Sequence, residues 1–489
     1  MTEISLDRIV AAVRDAGLLV GTEGTLPAHA SGIADDSRAV GQGTLFIAVR
    51  GSAHDGHDFL PQAAERGATA AIVEETGRTA LPSLVVRDGR RAAAVAAAAA
   101  FDEPARSLRL IAVTGTSGKT TVVGMLRHLL DGHDGQSASI GTLGVLVGSA
   151  GEEVDGGAGL TTPGPVELQR VLRALADRGV RTVAMEVSSH SLDQHRVDGL
   201  VFDVAVFTNL SRDHLDYHGT MDAYFAAKAK LVSHLRADGM AVACADDPIW
   251  RQLPPASRTV TFGLSPDADV QADAVHFEPR GSEFRLVASG QRHQVHLPLI
   301  GDFNVVNALG AAAAAAELGL SWSSIASRLR TLPQIPGRLE VIHERPTVLR
   351  DYSHKPDALE RAIAAVRPFT RRRLIVVFGC GGDRDRGKRP QMGNIAERGA
   401  DWVILTSDNP RTEDPEEILD DIERGMRKTN HERIEERELA ILQALTMADP
   451  QSDVVLLAGK GHETYQIRGT TKLPFDEKEI VAQLTGGAR

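Results

Sequence analysis

Hydrophobic and polar positions along the chain predict strands and helices in alternation. In residues 1–104, helical patterns at 6–16 and 91–101 flank an apolar run at 43–49 and an apolar segment at 68–74. The run at 43–49 has the length and composition of a strand. The pattern breaks at Asp102-Glu103-Pro104, where we expect a small α/β unit to end.

From Leu108 onwards the pattern changes to strand, glycine-rich turn and helix. Apolar runs at 110–113, 182–186, 204–208 and 240–243 predict the strands of a second domain, which ends at a joint containing proline and glycine at 333–337. The last third has strand candidates at 374–378, 402–406 and 454–458, separated by helical patterns. The order predicts an α/β protein with mostly parallel sheets. We expect domains at 1–104, 105–336 and 337–489, of which the second is a P-loop-type mononucleotide-binding domain and the third is Rossmann-like.

Composition and charge narrow the class of protein. The 489 residues suit three domains of about 150 residues each. A net charge of −11 without a basic block argues against a nucleic-acid partner or an anionic membrane surface. The two cysteines fit a reducing compartment, and the longest apolar run, at 92–101, is too short to span a bilayer. We therefore expect a cytoplasmic protein without membrane insertion, and a monomer.

A candidate phosphate-binding loop follows the strand at 110–113. It reads Thr114-Gly115-Thr116-Ser117-Gly118-Lys119-Thr120-Thr121 and leads into an apolar helix. Glycines let backbone N–H groups approach phosphate oxygens, while Lys119 would reach the terminal phosphates and Thr120 would ligate Mg²⁺. Val113 stands where the general motif has glycine. The alternative is a glycine-rich turn without a ligand, but the strand, loop and helix together favour a nucleotide site.

This loop resembles the nucleotide loop of the Mur ligases and of the related folylpolyglutamate synthetases. Further motifs extend the resemblance over nearly the whole chain. Together they resemble the branch of the family that adds the third residue of the peptidoglycan stem peptide. These motifs are Thr161-Thr162-Pro163, the segments 185–190 (MEVSSH) and 209–216 (NLSRDHLD), 224–228 (YFAAK), 304–307 (NVVN) and 351–354 (DYSH).

The resemblance implies an ATP-dependent ligase with one domain each for a uridine nucleotide, for ATP and for an amino acid. In the implied reaction, the free carboxylate of D-Glu in UDP-MurNAc-L-Ala-D-Glu is phosphorylated. The amino group of the third residue then attacks the acyl phosphate, and phosphate and ADP are released. The implied ATP contacts are Gly115, Thr116, Ser117, Gly118, Lys119, Thr120 and Thr121, together with Asn307, Arg338 and Asp351. Because Arg338 and Asp351 lie beyond the joint at 333–337, ATP would bridge two domains, whose closure would assemble the site.

The expected metal is Mg²⁺, which prefers oxygen ligands and binds through few carboxylates plus phosphates. Glu186 ends a predicted strand and suits this role, and the resemblance adds His214 and a carbamate on Lys228 (N6-carboxylysine) as ligands. With Lys119, these residues are the candidate catalytic set. The alternative for Lys228 is a solvated charge on a helix. An alternative for the histidines is a zinc or manganese hydrolase built on His190, His195, His214 and His218.

Two further groups of residues resemble the family's site for the UDP-MurNAc-dipeptide. The first group, in the N-terminal domain, comprises Ser37, Ser52, Ala53 and His54; the second, in the central domain, comprises Thr161, Thr162, Ser188, Gln194 and Arg196. The family usually has an apolar residue at the position of Asp35. Without the resemblance, the first group would be turn formers and Arg196 a surface charge.

The last domain indicates which amino acid is added. Polar loops follow its three strand candidates, and ligands of open parallel sheets bind beyond the carboxyl ends of the strands. Arginines in these loops can pair with carboxylates and a glutamate with an ammonium group, which suits a zwitterionic diamino diacid. The segment 408–411 (DNPR) resembles the signature of the family members that add meso-diaminopimelate, and the resemblance therefore implies this amino acid. The candidate residues are Arg384, Asp408, Asn409, Pro410, Arg411, Gly459 and Glu463. A lysine-adding or folylpolyglutamate-type ligase is the alternative, and a regulatory protein on a degenerate ligase scaffold is another.

Overall fold

The computed structural model describes residues 3–51, 54–157, 159–278 and 280–486. It contains two compact units. The first comprises residues 1–271, 288–291 and 307–325, and the second comprises residues 272–287, 292–306 and 326–489. Within the described ranges, no helix has the length and apolar character needed to cross a membrane.

The strands occur throughout the chain. They are β1 (Ile4–Ser5), β2 (Leu19–Glu23), β3 (His29–Ala30), β4 (Gly32–Ala34), β5 (Thr44–Ile47), β6 (Ala70–Val73), β7 (Ser83–Val86), β8 (Arg109–Thr114), β9 (Gln136–Gly141), β10 (Gly144–Val147), β11 (Glu152–Val154), β12 (Val180–Glu186), β13 (Phe202–Phe207), β14 (Leu235–Cys244), β15 (Arg258–Gly263), β16 (Val270–Glu278), β17 (Gly281–Ala288), β18 (Gln291–Leu297), β19 (Glu340–Glu344), β20 (Thr347–Asp351), β21 (Leu374–Phe378), β22 (Trp402–Leu405), β23 (His431–Arg433), β24 (Val454–Ala458), β25 (Tyr465–Arg468) and β26 (Thr471–Pro474).

The helices alternate with most of these strands. They are α1 (Leu6–Asp15), α2 (Leu60–Glu65), α3 (Gly89–Ala100), α4 (Lys119–Leu130), α5 (Pro165–Asp177), α6 (Ser189–Asp193), α7 (Leu215–His218), α8 (Met221–Ala229), α9 (Asp302–Glu317), α10 (Trp322–Leu329), α11 (Pro356–Val366), α12 (Lys388–Gly399), α13 (Pro415–Glu423), α14 (Arg437–Met447) and α15 (Glu477–Leu484). Short 3-10 helices lie at Ser37–Ala39, Gly56–Phe59, Pro104–Ser107, Lys230–His234, Pro248–Gln252 and Arg367–Phe369.

The first unit contains two larger sheets built mostly from parallel strands, besides the antiparallel β1–β3 pair. The N-terminal sheet has the order β2-β7-β6-β5-β4, in which only the β2–β7 pair is antiparallel. The larger sheet has eleven strands in the order β11-β10-β9-β12-β8-β13-β14-β15-β16-β17-β18, with β10 antiparallel to both of its neighbours. Strand β8 pairs in parallel with β12 and β13, so the loop after β8 lies at the centre of the carboxyl edge.

The second unit has a sheet of order β19-β20-β24-β21-β22-β23, parallel except for the β19–β20 pair. Apolar side chains cover both of its faces: one layer packs under α11, α12 and α13, and the other under α14 and α15. Burial on both faces explains why β21, β22 and β24 read as continuous apolar runs in the sequence.

These sheets confirm the predicted α/β class with mostly parallel strands. The predicted strands at 374–378 and 454–458 match β21 and β24, and the run at 110–113 lies within β8. The division into domains at 1–104, 105–336 and 337–489 stays a prediction. Strands β16 to β18 and the β25–β26 hairpin are elements that the sequence pattern did not predict.

Candidate functional site

The glycine-rich loop joins β8 to α4, as the sequence predicted. Gly118 immediately precedes α4 with φ of +86°, and a Cβ added there would lie 2.5 Å from the Asn307 Oδ1. A Cβ added to Gly115 would lie 1.9 Å from the Thr208 Oγ1. Both positions therefore require glycine, for conformation at Gly118 and for space at both.

Backbone contacts hold this loop in a compact form. Lys119 Nζ donates to the carbonyl oxygens of Gly115 (2.8 Å) and Thr116 (3.0 Å). Thr208 Oγ1 donates to the Ser117 oxygen at 2.7 Å. Val113 is a fully buried strand residue that pairs with Glu186 on one side and Val206 on the other. A glycine at position 113 would weaken the sheet, which accounts for the departure from the general motif.

Glu186 lies at the carboxyl end of β12, next to the glycine-rich loop. Its side chain is buried, and its Oε1 accepts the Thr142 N–H at 2.8 Å. Its backbone oxygen accepts the hydroxyl of Thr162 at 2.9 Å. The carboxylate is thus oriented by β9 and β12 together. Thr142 is a contact that the sequence did not reveal, because a lone threonine after a strand has no distinctive pattern.

Lys228 lies near the end of α8 and is only 1% exposed. Its Nζ donates to the Gly115 oxygen at 2.9 Å and lies 4.6 Å from the centre of the Tyr224 ring. Burial raises the pKa of the Tyr224 phenol, whose oxygen lies 3.2 Å from the Thr116 Oγ1. The interpretation of Lys228 as a solvated helix charge is therefore wrong. Lys230 does lie near the surface, paired with Asp193 at 2.9 Å.

His214 precedes helix α7 in a left-handed conformation with φ of +52°. Its ring lies edge-on to that of His190, with 4.8 Å between the ring centres, and its Nε2 lies 3.3 Å from the Asp213 Oδ2. His195 pairs instead with Asp198 at 2.9 Å. Among the residues that the structure describes, no group of three or more histidine, cysteine or acidic side chains could hold a metal. The four histidines therefore do not form the site that the hydrolase alternative needs.

Four of the predicted acceptor-binding residues contact one another beside Glu186. Arg196 donates to the Thr162 oxygen (2.8 Å) and, through Nε and Nη2, to the Gln194 Oε1 (3.1 and 2.6 Å). The Ser188 N–H donates to the Thr162 Oγ1 at 3.1 Å. Burial lowers the pKa of Arg196, mainly by desolvation. These residues form a connected polar patch at the ends of the central strands.

The remaining predicted acceptor residues are more dispersed. Thr161 Oγ1 lies 3.5 Å from the Thr142 hydroxyl, which itself lies 3.4 Å from the Glu186 Oε2. Ser37 is buried and donates to the Gln62 Oε1 at 2.8 Å. His54 lies edge-on to Phe59, whereas Ser52 and Ala53 lie outside the described residues. Burial raises the pKa of Asp35.

The three polar loops of the second unit meet beyond the carboxyl ends of β21, β22 and β24. Arg411 donates to the Gly382 oxygen at 2.7 Å, which joins the second loop to the first. Asn409 Nδ2 donates to the Glu463 Oε2 at 2.9 Å, which joins the second loop to the third. Asp408 is buried, and its Oδ2 has no hydrogen-bond partner within the described structure. A Cβ added to Gly459 would lie 2.5 Å from that oxygen.

Several charged groups thus surround one strand edge of this unit. Arg384 is exposed and donates to its neighbour's backbone oxygen, and Pro410 lies between Asn409 and Arg411 in the second loop.

Two predicted ATP contacts also belong to this unit. The Asp351 Oδ2 accepts the Leu339 N–H at 2.8 Å, and the Arg338 guanidinium lies 5.0 Å from the centre of the Tyr352 ring.

The chain is similar to known protein families over most of its length. The chain matches the Mur ligase family, catalytic domain, at residues 29–106, the Mur ligase middle domain at 113–315, and the Mur ligase, glutamate ligase domain at 337–461. It is 45% identical over 474 residues to the UDP-N-acetylmuramoyl-L-alanyl-D-glutamate–2,6-diaminopimelate ligase of Synechococcus elongatus, covering 93% of this chain and 94% of that protein. The chain belongs to the Mur ligase family.

Two more relatives of this Mur ligase carry the same description. The Geobacillus kaustophilus protein is 43% identical, with 91% of this chain and 92% of that protein covered. A solved structure of a UDP-N-acetylmuramoyl-L-alanyl-D-glutamate–2,6-diaminopimelate ligase superimposes with a TM-score of 0.67 at 34% identity, covering 95% of this chain and 96% of that one. The similarity extends over nearly the full length in each case.

Some residues of this Mur ligase that contact the predicted site were missed by sequence reasoning. Tyr217 donates to the Asp193 Oδ2 at 3.0 Å and packs against the His190 ring, 4.3 Å away. Lys460 is fully buried beside Asn409 and Glu463. Lys460 lies within a loop that was predicted to bind ligand, so its position was a usable signal. Tyr217 lies one residue beyond the 209–216 motif, and nothing in its spacing indicated a contact with α6.

Proposed function

We propose that this Mur ligase catalyses the ATP-dependent addition of meso-2,6-diaminopimelate to the D-Glu of UDP-MurNAc-L-Ala-D-Glu, a step of peptidoglycan precursor synthesis. Full-length similarity to ligases of that description supports the reaction. The observation that carries the choice of amino acid is the meeting of Arg411, Asn409 and Glu463 at one strand edge.

The first step joins two anions. A carboxylate oxygen of D-Glu attacks the γ-phosphorus of ATP, and ADP leaves. Lys119 and the backbone N–H groups of residues 115–121 would bind the phosphates, because the loop precedes a helix N-terminus. Thr162, Ser188 and Arg196 would orient the acceptor dipeptide beside Glu186. The binding energy of these groups offsets the repulsion between carboxylate and triphosphate.

The residues near the glycine-rich loop fit Mg²⁺. Thr120, Glu186 and His214, with a carbamate on Lys228, would hold it, and it would supply charge neutralisation at the transferred phosphoryl group. Because the described residues form no all-protein metal cluster, phosphate oxygens would complete the coordination, which is the usual arrangement for Mg²⁺. The burial of Lys228 beside the Gly115 oxygen supports the carbamate, since desolvation favours the neutral amine that reacts with CO₂.

The second step selects the nucleophile. An amino nitrogen of diaminopimelate attacks the acyl carbon, and the bond from that carbon to the phosphate oxygen breaks. Arg384 and Arg411 would pair with a carboxylate of the amino acid, and Glu463 with an ammonium group. The unpartnered Asp408 Oδ2 provides a second acceptor for an ammonium group. Lysine lacks the second carboxylate and would leave a guanidinium partly unpaired.

An amino-acid panel tests the proposal. The purified protein, ATP, Mg²⁺ and UDP-MurNAc-L-Ala-D-Glu are incubated with meso-diaminopimelate, L-lysine, L-glutamate or no amino acid, and phosphate release is measured. We expect release with diaminopimelate, at least tenfold less with lysine, and background with glutamate or without amine. Equal release with lysine, or release independent of any amine, would overturn the proposal.

A further inference from the structure

Lys460 is a fully buried lysine in the third loop of the second unit, directly after Gly459. Its Nζ lies 3.3 Å from the Asn409 Oδ1 and 3.3 Å from the Glu463 Oε2. A buried ammonium group is costly unless it is paired, so these contacts are a requirement of the fold. Both partners belong to the proposed amino-acid site.

The contacts of Asn409 define the orientation of this group of side chains. The Asn409 Oδ1 accepts the Ile467 N–H at 2.9 Å as well as the Lys460 ammonium, and its Nδ2 donates to the Glu463 Oε2. An amide turned the other way would place its NH₂ group against two donors. The Glu463 Oε2 therefore accepts from two fixed donors, and the carboxylate cannot rotate without losing both.

Two aromatic rings lie near the Lys460 ammonium. The centres of the Tyr465 and Phe475 rings lie 5.7 and 5.9 Å from its Nζ. Attraction to the ring faces stabilises the cation in place. Because the ammonium group is fully buried, it acts on a ligand through the residues that it contacts, Asn409 and Glu463.

We infer that Lys460 is a positioning residue that orients Glu463 toward the ammonium group of the incoming diamino acid. This inference rests on the proposed function. To bind a small zwitterion, the protein must hold the Glu463 carboxylate within a narrow range of angles. Hydrogen bonds from neighbouring side chains fix that orientation. Lys460 supplies one donor to the Glu463 Oε2, and Asn409 supplies another.

The test compares Lys460→Met with Lys472→Met. Lys472 also lies over the Tyr465 ring, 3.5 Å from its centre, but it is exposed and lies on β26. In the phosphate-release assay we expect Lys460→Met to raise the KM for diaminopimelate at least tenfold. The KM values for ATP and for the nucleotide-sugar dipeptide should stay within about twofold. Lys472→Met should match the parent protein in all three. An unchanged KM for diaminopimelate in Lys460→Met would overturn the inference.

A double-mutant cycle with Glu463→Gln separates positioning from a general loss of stability. If Lys460 acts through Glu463, the double variant is no worse than Glu463→Gln alone, because coupled residues give non-additive effects. If the rise in the KM for diaminopimelate in the double variant equalled the product of the rises in the two single variants, the inference would be overturned. If Lys460→Met fails to fold, Lys460→Leu replaces it under the same criteria, since leucine also lacks a donor for Glu463. Lys460→Gln should raise the KM for diaminopimelate less than either variant, because its amide keeps a donor for Glu463. If the parent protein itself did not turn over diaminopimelate, the proposed function would be rejected instead.

Discussion

At the residue scale, positive charge is concentrated in sites although the whole chain has a net charge of −11. Lys228 and Lys460 are almost completely buried, and burial lowers the pKa of Arg196. Each of these cations has oxygen partners on the protein, as buried charges require. Each of these residues therefore acts together with a partner. Single substitutions should change either the KM of one substrate or kcat, so that effects on binding and on turnover can be told apart.

Replacing Lys228 by Ala should lower kcat at least a hundredfold, because no carbamate could form beside the glycine-rich loop. The KM for ATP should change less than threefold, since Lys119 and the backbone of the loop remain. Steady-state phosphate release measures both constants. Lys230→Ala is the matched control, because Lys230 lies two residues away and pairs with Asp193 near the surface. Near-parental kcat in Lys228→Ala would reject the carbamate.

Replacing Arg411 by Met should raise the KM for diaminopimelate at least tenfold. A hydrogen bond to a charged group contributes about 1.5–3 kcal/mol, and the variant leaves a carboxylate of the ligand unpaired. Turnover of lysine should change little, so the preference for diaminopimelate should narrow. Arg468→Met serves as the control, because Arg468 lies on β25 and pairs with Glu435 and Glu436. An equal loss in both variants would mean that the effect is structural.

At the element scale, the carboxyl ends of parallel strands gather the site residues. In the first unit, β8 leads into the glycine-rich loop and β12 ends at Glu186, and these two strands are neighbours. In the second unit, β22 and β24 flank β21, and the loops after all three contact one another. This arrangement follows from the parallel register, which brings equivalent strand ends to one edge.

Replacing Gly118 by Ala should raise the KM for ATP at least tenfold. The added Cβ would lie 2.5 Å from the Asn307 Oδ1, so the Asn307 side chain, a predicted ATP contact, or the loop must shift. Gly132→Ala is matched in backbone conformation, with φ of +70°, but its Cβ would meet nothing within 4 Å. Both variants share the strain of a left-handed residue, roughly 1–2 kcal/mol. Titration with a fluorescent ATP analogue should therefore show weakened binding in Gly118→Ala alone, and equal weakening would contradict the steric argument.

At the scale of the whole molecule, the sequence predicted the class of fold and most central strands, because strands buried on both faces are continuous apolar runs. The run at 402–406 became β22 at Trp402–Leu405, and the pattern at 91–101 became α3 at Gly89–Ala100. Strands β16 to β18 are only partly buried, lack a continuous apolar run and were missed. Positions of motif residues were predictable, but a supporting residue such as Tyr217 was not, because its partners Asp193 and His190 lie far away in sequence.

Two half-buried histidines make the stability of the protein depend on pH. Burial lowers the pKa of His354 and of His462 from 6.5 to about 4 in each case. The rings of both lie against Tyr352, with 4.6 and 5.1 Å between the ring centres. The unfolded chain therefore binds more protons than the folded protein between pH 6.5 and 4, so stability is complete above about pH 6.5 and falls as the pH falls through this window. Each histidine should remove about 2 kcal/mol of unfolding free energy between pH 7 and pH 5.

Replacing His462 by Gln should make unfolding less sensitive to acid. Urea unfolding at pH 7 and pH 5 measures the loss, and the variant should lose about 2 kcal/mol less than the parent protein. Asp351 acts in the opposite direction, because burial raises its pKa, but its contribution is common to both proteins and cancels in the comparison. His276→Gln is the control, since His276 lies exposed on β16 of the same unit. Equal pH dependence in all three proteins would show that His462 is already protonated, or accessible to protons, in the folded state.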